Sequence, residues 1–145
     1  MKIHLIIPMF FLISIFSCSK SNDALTGDSS PITPIDTTIS AIRYTGTFQK
    51  GPWGTVSGTA KLIITNGKWQ LRVDDFNSTS GPDLYVYISE ELQPLNFIRV
   101  GKLKGLSGSQ LYDIPGNPDF MKYSYVLIYC EKFNHLFGSA ALMKI

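Results

Sequence analysis

The sequence predicts an all-β protein: a single β-sandwich domain of short antiparallel strands, preceded by a signal peptide and a flexible linker. Three observations carry that prediction. Beyond residue 42, apolar and polar side chains alternate with period two in short runs broken by Gly, Pro and Asn. No stretch sustains a helical period. Nine Phe, seven Tyr and two Trp in 145 residues favour strands and tight packing over a loose helical domain. The length suits one domain of ordinary size. With 13 Lys and Arg against 11 Asp and Glu the chain is close to neutral, and it lacks the basic stripe that a nucleic-acid partner would require.

Residues 1–17 read as a lipoprotein signal peptide. Lys2 and His4 form a short polar start, and residues 5–16 are an almost unbroken apolar run. That run is too short to cross a bilayer comfortably but has the length of a signal-peptide core. Ile15-Phe16-Ser17-Cys18 then resembles a lipobox, with Phe16 bulkier than the residue usual at its position; a plain secretory signal, or a membrane anchor with an incidental Cys, is the alternative. The expectation is cleavage before Cys18 and lipidation of its thiol, which makes a membrane the first partner. Ser19 lacks the Asp that holds some lipoproteins in the inner membrane, so the outer membrane of a bacterial envelope is the expected location.

Residues 18–38 hold the lipidated Cys and a linker rich in Ser, Thr, Asp and Pro, with little to bury and with prolines that block helix; disorder is expected there. Residues 39–145 form the domain. Residues 59–65 alternate, with Ala60, Leu62 and Ile64 on one side; Asn66-Gly67 is a strong type I′ hairpin signal, and residues 68–74 alternate again with Trp69, Leu71 and Val73. Residues 75–82 are expected as a loop. Further strands are expected at 83–89, 96–100, 110–114, 123–130 and 136–143, with a single turn at 119–122, for eight to ten strands in all.

The order of short motifs then matters more than any one of them. Val56-Ser57-Gly58-Thr59-Ala60 is followed by Asp75-Phe76, Gly81-Pro82-Asp83-Leu84, Gly101-Lys102-Leu103-Lys104-Gly105 and Gly108-Ser109-Gln110-Leu111-Tyr112. Ile114-Pro115, Val126-Leu127-Ile128-Tyr129-Cys130, Phe133 and Phe137-Gly138 complete the series. In that order, from about Tyr44 to Met143, they resemble the DM-thirteen (electron-transfer DM-thirteen) domain family. The resemblance implies a β-sandwich whose Cys near the penultimate strand takes part in redox chemistry, and Cys130 stands at that position. Tyr129 stands where many members have Trp. No companion domain accompanies the module here, so the resemblance implies a separate redox partner protein.

Cys130 is the main candidate for chemistry, since lipidation of Cys18 leaves it unpaired in a compartment that tolerates disulfides. Its strand is apolar or aromatic on both faces and so reads as central, with the thiol near its end. A reactive thiol at the sandwich rim and a buried, inert one are both consistent with the pattern. His135 makes a Cys-x-x-x-x-His pair with it, too few ligands for a closed zinc site, so a turn residue is the simpler reading. Haem or copper remains an alternative cofactor. Asp75 and Asp83 bound an oxygen-rich stretch without the spacing of a calcium loop, and they read as loop-fixing residues. The chain shows no hydrolase or transferase constellation. Two functions follow: a redox or electron-transfer module acting through Cys130, or a non-catalytic envelope module binding a protein or carbohydrate, with Cys130 as core packing.

Overall fold

The structure, a computed structural model, describes residues 40–145. The signal peptide, Cys18 and the linker lie outside the described residues. Nine strands follow one another: β1 (Ser40–Lys50), β2 (Val56–Thr65), β3 (Lys68–Ser78), β4 (Leu84–Ser89), β5 (Phe97–Lys102), β6 (Ser107–Asp113), β7 (Tyr125–Cys130), β8 (His135–Ala141) and β9 (Met143–Lys144). No helix occurs among the described residues. The all-β expectation holds, and the count falls inside the expected eight to ten.

The strands pair antiparallel in the order β5-β4-β7-β8-β1-β2-β3-β6, with β9 on β1. β5 and β6 therefore stand at opposite ends of the order, yet only residues 103–106 connect them. Four residues span at most about 14 Å, so the sheet must curl until its edges meet. Gln110 secures the meeting point: its Nε2 donates to Gly105 O at 2.8 Å, and its Oε1 accepts from Tyr112 Oη at 2.5 Å and Lys104 N at 3.2 Å. β1 forms the opposite corner. Its first part pairs with β2 through Thr47, and Phe48 to Lys50 pair with β8. The result is a sandwich whose two layers share one strand.

The β2–β3 hairpin forms as its alternation requires. Asn66 and Gly67 take φ of 50° and 75°, the left-handed pair that a type I′ turn needs. Ala60, Leu62, Leu71 and Val73 are buried on the inner side. The expected loop at 75–82 begins later than the sequence indicates, because Asp75 to Ser78 continue β3. The Asp, Asn, Ser and Gly of this stretch read as a loop, and strict alternation after Val73 would turn Asp75 inward. A bulge resolves the conflict: Asp75 takes φ 49°, and the β2–β3 register shifts between Ser57 and Thr59. Phe76 then returns to the core at 2% exposure. Gly58, at φ 115°, sits against this bulge, and a Cβ there would lie 2.7 Å from Asp74 O and 2.9 Å from Phe76 Cα.

The core between the layers is built from inward residues of both, including Leu62, Leu71, Phe76, Val86, Ile88, Val126 and Ile128. Phe120 closes one end, its ring centroid 4.6 Å from that of Trp69 and 5.7 Å from that of Tyr44. It belongs to the predicted turn, where Lys122 N and Tyr123 N both donate to Asp119 O at 3.0 Å. A smaller cluster of Tyr87, Leu127 and Tyr129 covers the outer face of β4 and β7. The strand that reads as apolar on both faces is thus central, with β4 and β8 on its two sides.

Candidate functional site

Cys130 ends β7, opposite Leu84 on β4 and His135 on β8. The alternation Val126, Ile128, Cys130 points into the main core, while Leu127 and Tyr129 point outward. The thiol is 0% exposed and unpaired. Three connections close over this end of the sandwich: residues 51–55, 79–83 and 131–134. Backbone hydrogen bonds fix them: Gly51 N donates to Phe137 O of β8 at 2.7 Å, Thr79 N to Thr55 O at 3.0 Å and Glu131 N to Asp83 O at 3.0 Å. The Phe137 ring fills the space beneath them, and a Cβ at Gly81 would come within 2.9 Å of its tip. Gly54 is packed still more closely against the same ring. The Gly81-Pro82-Asp83-Leu84 and Phe137-Gly138 motifs thus mark the packing at the thiol's end of the domain.

His135 lies at the rim of this end. Its ring stacks on Trp53, centroids 3.8 Å apart and planes within 1°, with Phe133 at 5.9 Å. Trp53 is 61% exposed, so the stack presents an open aromatic face to solvent. Asp75 is the exposed bulge residue of β3. Asp83 accepts from Glu131 through its backbone, and its carboxylate faces Lys102 Nζ at 3.5 Å. The structure therefore brings Cys130, His135 and Asp83 to one end of the domain and leaves Asp75 on the β2–β3 bulge. No group of three or more His, Cys, Asp and Glu side chains placed to hold a metal ion occurs among the described residues.

One cluster escapes a sequence reading altogether. Glu131, the residue after Cys130, takes a two-pronged ion pair from Arg99, Nε to Oε1 at 2.7 Å and Nη2 to Oε2 at 2.9 Å. Tyr87 Oη donates to Glu131 Oε1 at 2.5 Å. The Tyr87 ring stacks on Phe97 at 4.3 Å and on Tyr129 at 5.6 Å, and the Arg99 guanidinium lies 3.9 Å over Tyr85. Burial, helped by the adjacent carboxylate, pushes the Tyr87 hydroxyl well above the usual phenol range. The Arg99 hydrogen bond holds the Glu131 carboxyl below the ordinary carboxylate range against a smaller opposing effect of burial. These residues stand on β4, β5 and β7 and on the connection that follows β7. The only signal in the sequence is the outward alternation of Tyr85 and Tyr87, which does not name their partners.

The comparisons with known proteins add one finding. A family model described as Electron transfer DM13 matches residues 47–142, more than half of the chain and nearly all of the described domain. No curated protein and no solved structure matches the chain.

Proposed function

The chain belongs to the electron transfer DM13 family, and from that premise we propose that it is a redox module of the cell envelope, anchored through a lipid on Cys18 and acting through the thiol of Cys130. The family match, which spans Cys130, is the observation that carries this reading. Its support in the structure is position: the thiol ends a central strand, between Leu84 and His135, at the end of the domain where residues 131–134 turn from β7 to β8. In thiol–disulfide exchange, the Cys130 thiolate attacks one sulfur of a disulfide in a partner protein. The partner's S–S bond breaks, its other sulfur leaves as a thiolate, and a mixed disulfide forms. At 0% exposure this exchange requires local opening of the covering connections, a motion far smaller than unfolding.

The test is the reaction rate of Cys130 in a Cys18→Ser chain with a small disulfide reagent under native conditions. A rate well above that of global unfolding, measured in parallel, supports the redox reading; so does a thiolate-to-metal absorption band on adding cupric ion or haem. A second reading is favoured by the complete burial of the thiol and by the open Trp53–His135 stack: an envelope module that binds protein or carbohydrate, with Cys130 as packing. In that case Cys130 reacts only on unfolding, and Cys130→Ala costs roughly 1 kcal/mol of stability and nothing else.

A further inference from the structure

We propose that Tyr87, with Glu131 as its proton acceptor, is a one-electron redox site on the outer face of β4 and β7. The inference rests on the redox reading above and adds to it a second group, independent of the thiol. Tyr87 is 4% exposed, yet its hydroxyl is 2.5 Å from a carboxylate oxygen. The other described phenol that donates to a side chain, Tyr112, faces a neutral amide, Gln110 Oε1. Loss of an electron makes a phenol hydroxyl strongly acidic, so the electron can leave a buried phenol readily only if the proton has somewhere to go. Glu131 Oε1 supplies that place along an existing hydrogen bond.

Tyr87 gives one electron to a strong one-electron oxidant in a partner protein, a high-valent haem centre, which is thereby reduced by one unit. The Tyr87 O–H bond breaks, the proton passes to Glu131, and a neutral tyrosyl radical faces a protonated carboxyl. Arg99 keeps Glu131 ionised beforehand and orients Oε1 toward the phenol. The electron's way out is aromatic: Phe97, stacked on Tyr87 at 4.3 Å, is 41% exposed. On the other side Tyr129 stacks on Tyr87 and precedes Cys130 in the chain. Tyr87 thus lies between a surface ring and the strand that holds the thiol.

The experiment uses the Cys18→Ser, Cys130→Ala chain, so that its outcome is independent of thiol chemistry and of anchoring. Photogenerated ruthenium(III) tris-bipyridine serves as the one-electron oxidant, and the tyrosyl radical is followed by transient absorption and electron paramagnetic resonance. The parent chain should give a long-lived radical that Tyr87→Phe removes and Tyr85→Phe retains; the Phe ring preserves the stacking on Phe97 and Tyr129. Glu131→Gln keeps a hydrogen-bond acceptor but removes the base. It should slow oxidation by on the order of 100-fold, the usual contribution of a positioned base. Its rate should then climb with pH, because the proton must go to solvent, whereas the parent rate stays flat above about pH 5, where a carboxylate is already ionised. An unchanged radical in Tyr87→Phe overturns the proposal, as does an unchanged rate and pH profile in Glu131→Gln.

Discussion

At the scale of single residues, Asp74 shows how local charge offsets burial. It is 7% exposed, and burial alone would raise its pKa. Hydrogen bonds from Lys61 Nζ at 2.9 Å and Arg72 Nε at 2.8 Å, with the charges of both cations, outweigh that effect and leave the carboxyl below its ordinary range. A folded pKa below the unfolded one gives stability that is present above the unfolded value, near 4, and is lost as pH falls through the folded value. Glu131 acts in the same direction. Urea unfolding at pH 7 and at pH 3 should therefore show lower stability in acid. Asp74→Asn should cost about 1–2 kcal/mol at pH 7 and should weaken the acid dependence. A variant whose pH slope matches the parent would show that the two cations do not hold this carboxylate down. Cys130, by contrast, was legible in the sequence as the end of a strand apolar on both faces, with a rim and a buried thiol both consistent with the pattern; the structure buries it.

At the scale of elements, two glycines with positive φ differ in what surrounds them. Gly67 occupies the β2–β3 turn at φ 75°, with nothing within 4 Å of where a Cβ would stand. Gly58 opposes the Asp75–Phe76 bulge at φ 115° with backbone atoms closer than 3.0 Å. Gly67→Ala should cost about 1 kcal/mol, the left-handed penalty alone. Gly58→Ala should cost more, about 2–3 kcal/mol, because backbone must shift as well. Chemical denaturation of the two variants checks the order, and equal costs would mean that the bulge relaxes freely. The turn was legible because Asn-Gly states its own geometry. The bulge was not, since it depends on a residue 17 positions earlier, and the turn-forming residues after Asp75 read as a loop.

At the scale of the whole molecule, β1 and the 103–106 connection decide the architecture. β1 serves both layers, and the short connection forces the two edges of the curled sheet together. The curl brings β5 and β6 together at their 103–106 connection without pairing them, so each keeps one unpaired edge. It also sets the two ends of the sandwich apart: Ser40, where the chain from Cys18 enters, pairs with Thr65 beside the Asn66-Gly67 turn, and Cys130 lies at the other end. The anchoring proposal belongs to this scale. Expression in a bacterial host with labelled palmitate should mark the chain, and Cys18→Ser should abolish the label. Label retained in the variant would remove the lipid anchor and leave the fold untouched.

The sequence by itself determined the all-β class, the hairpin at Asn66-Gly67 and the central place of β7 with Cys130 at its end. Each of these depends on side chains one or two positions apart, where the period of a strand and the φ preferences of Asn and Gly act directly. The motif order carried the family, and Gly58, Gly81 and Gly138 within it mark points where a side chain would meet close neighbours. Only the tertiary structure decided that Asp75 to Ser78 extend β3, that His135 stacks on Trp53, and that Glu131 joins Arg99 and Tyr87. Those contacts link residues 32 to 82 positions apart. Their partners are chosen by register and by the curl that closes the sheet, which depend on the packing of the whole core and on no local run of residues.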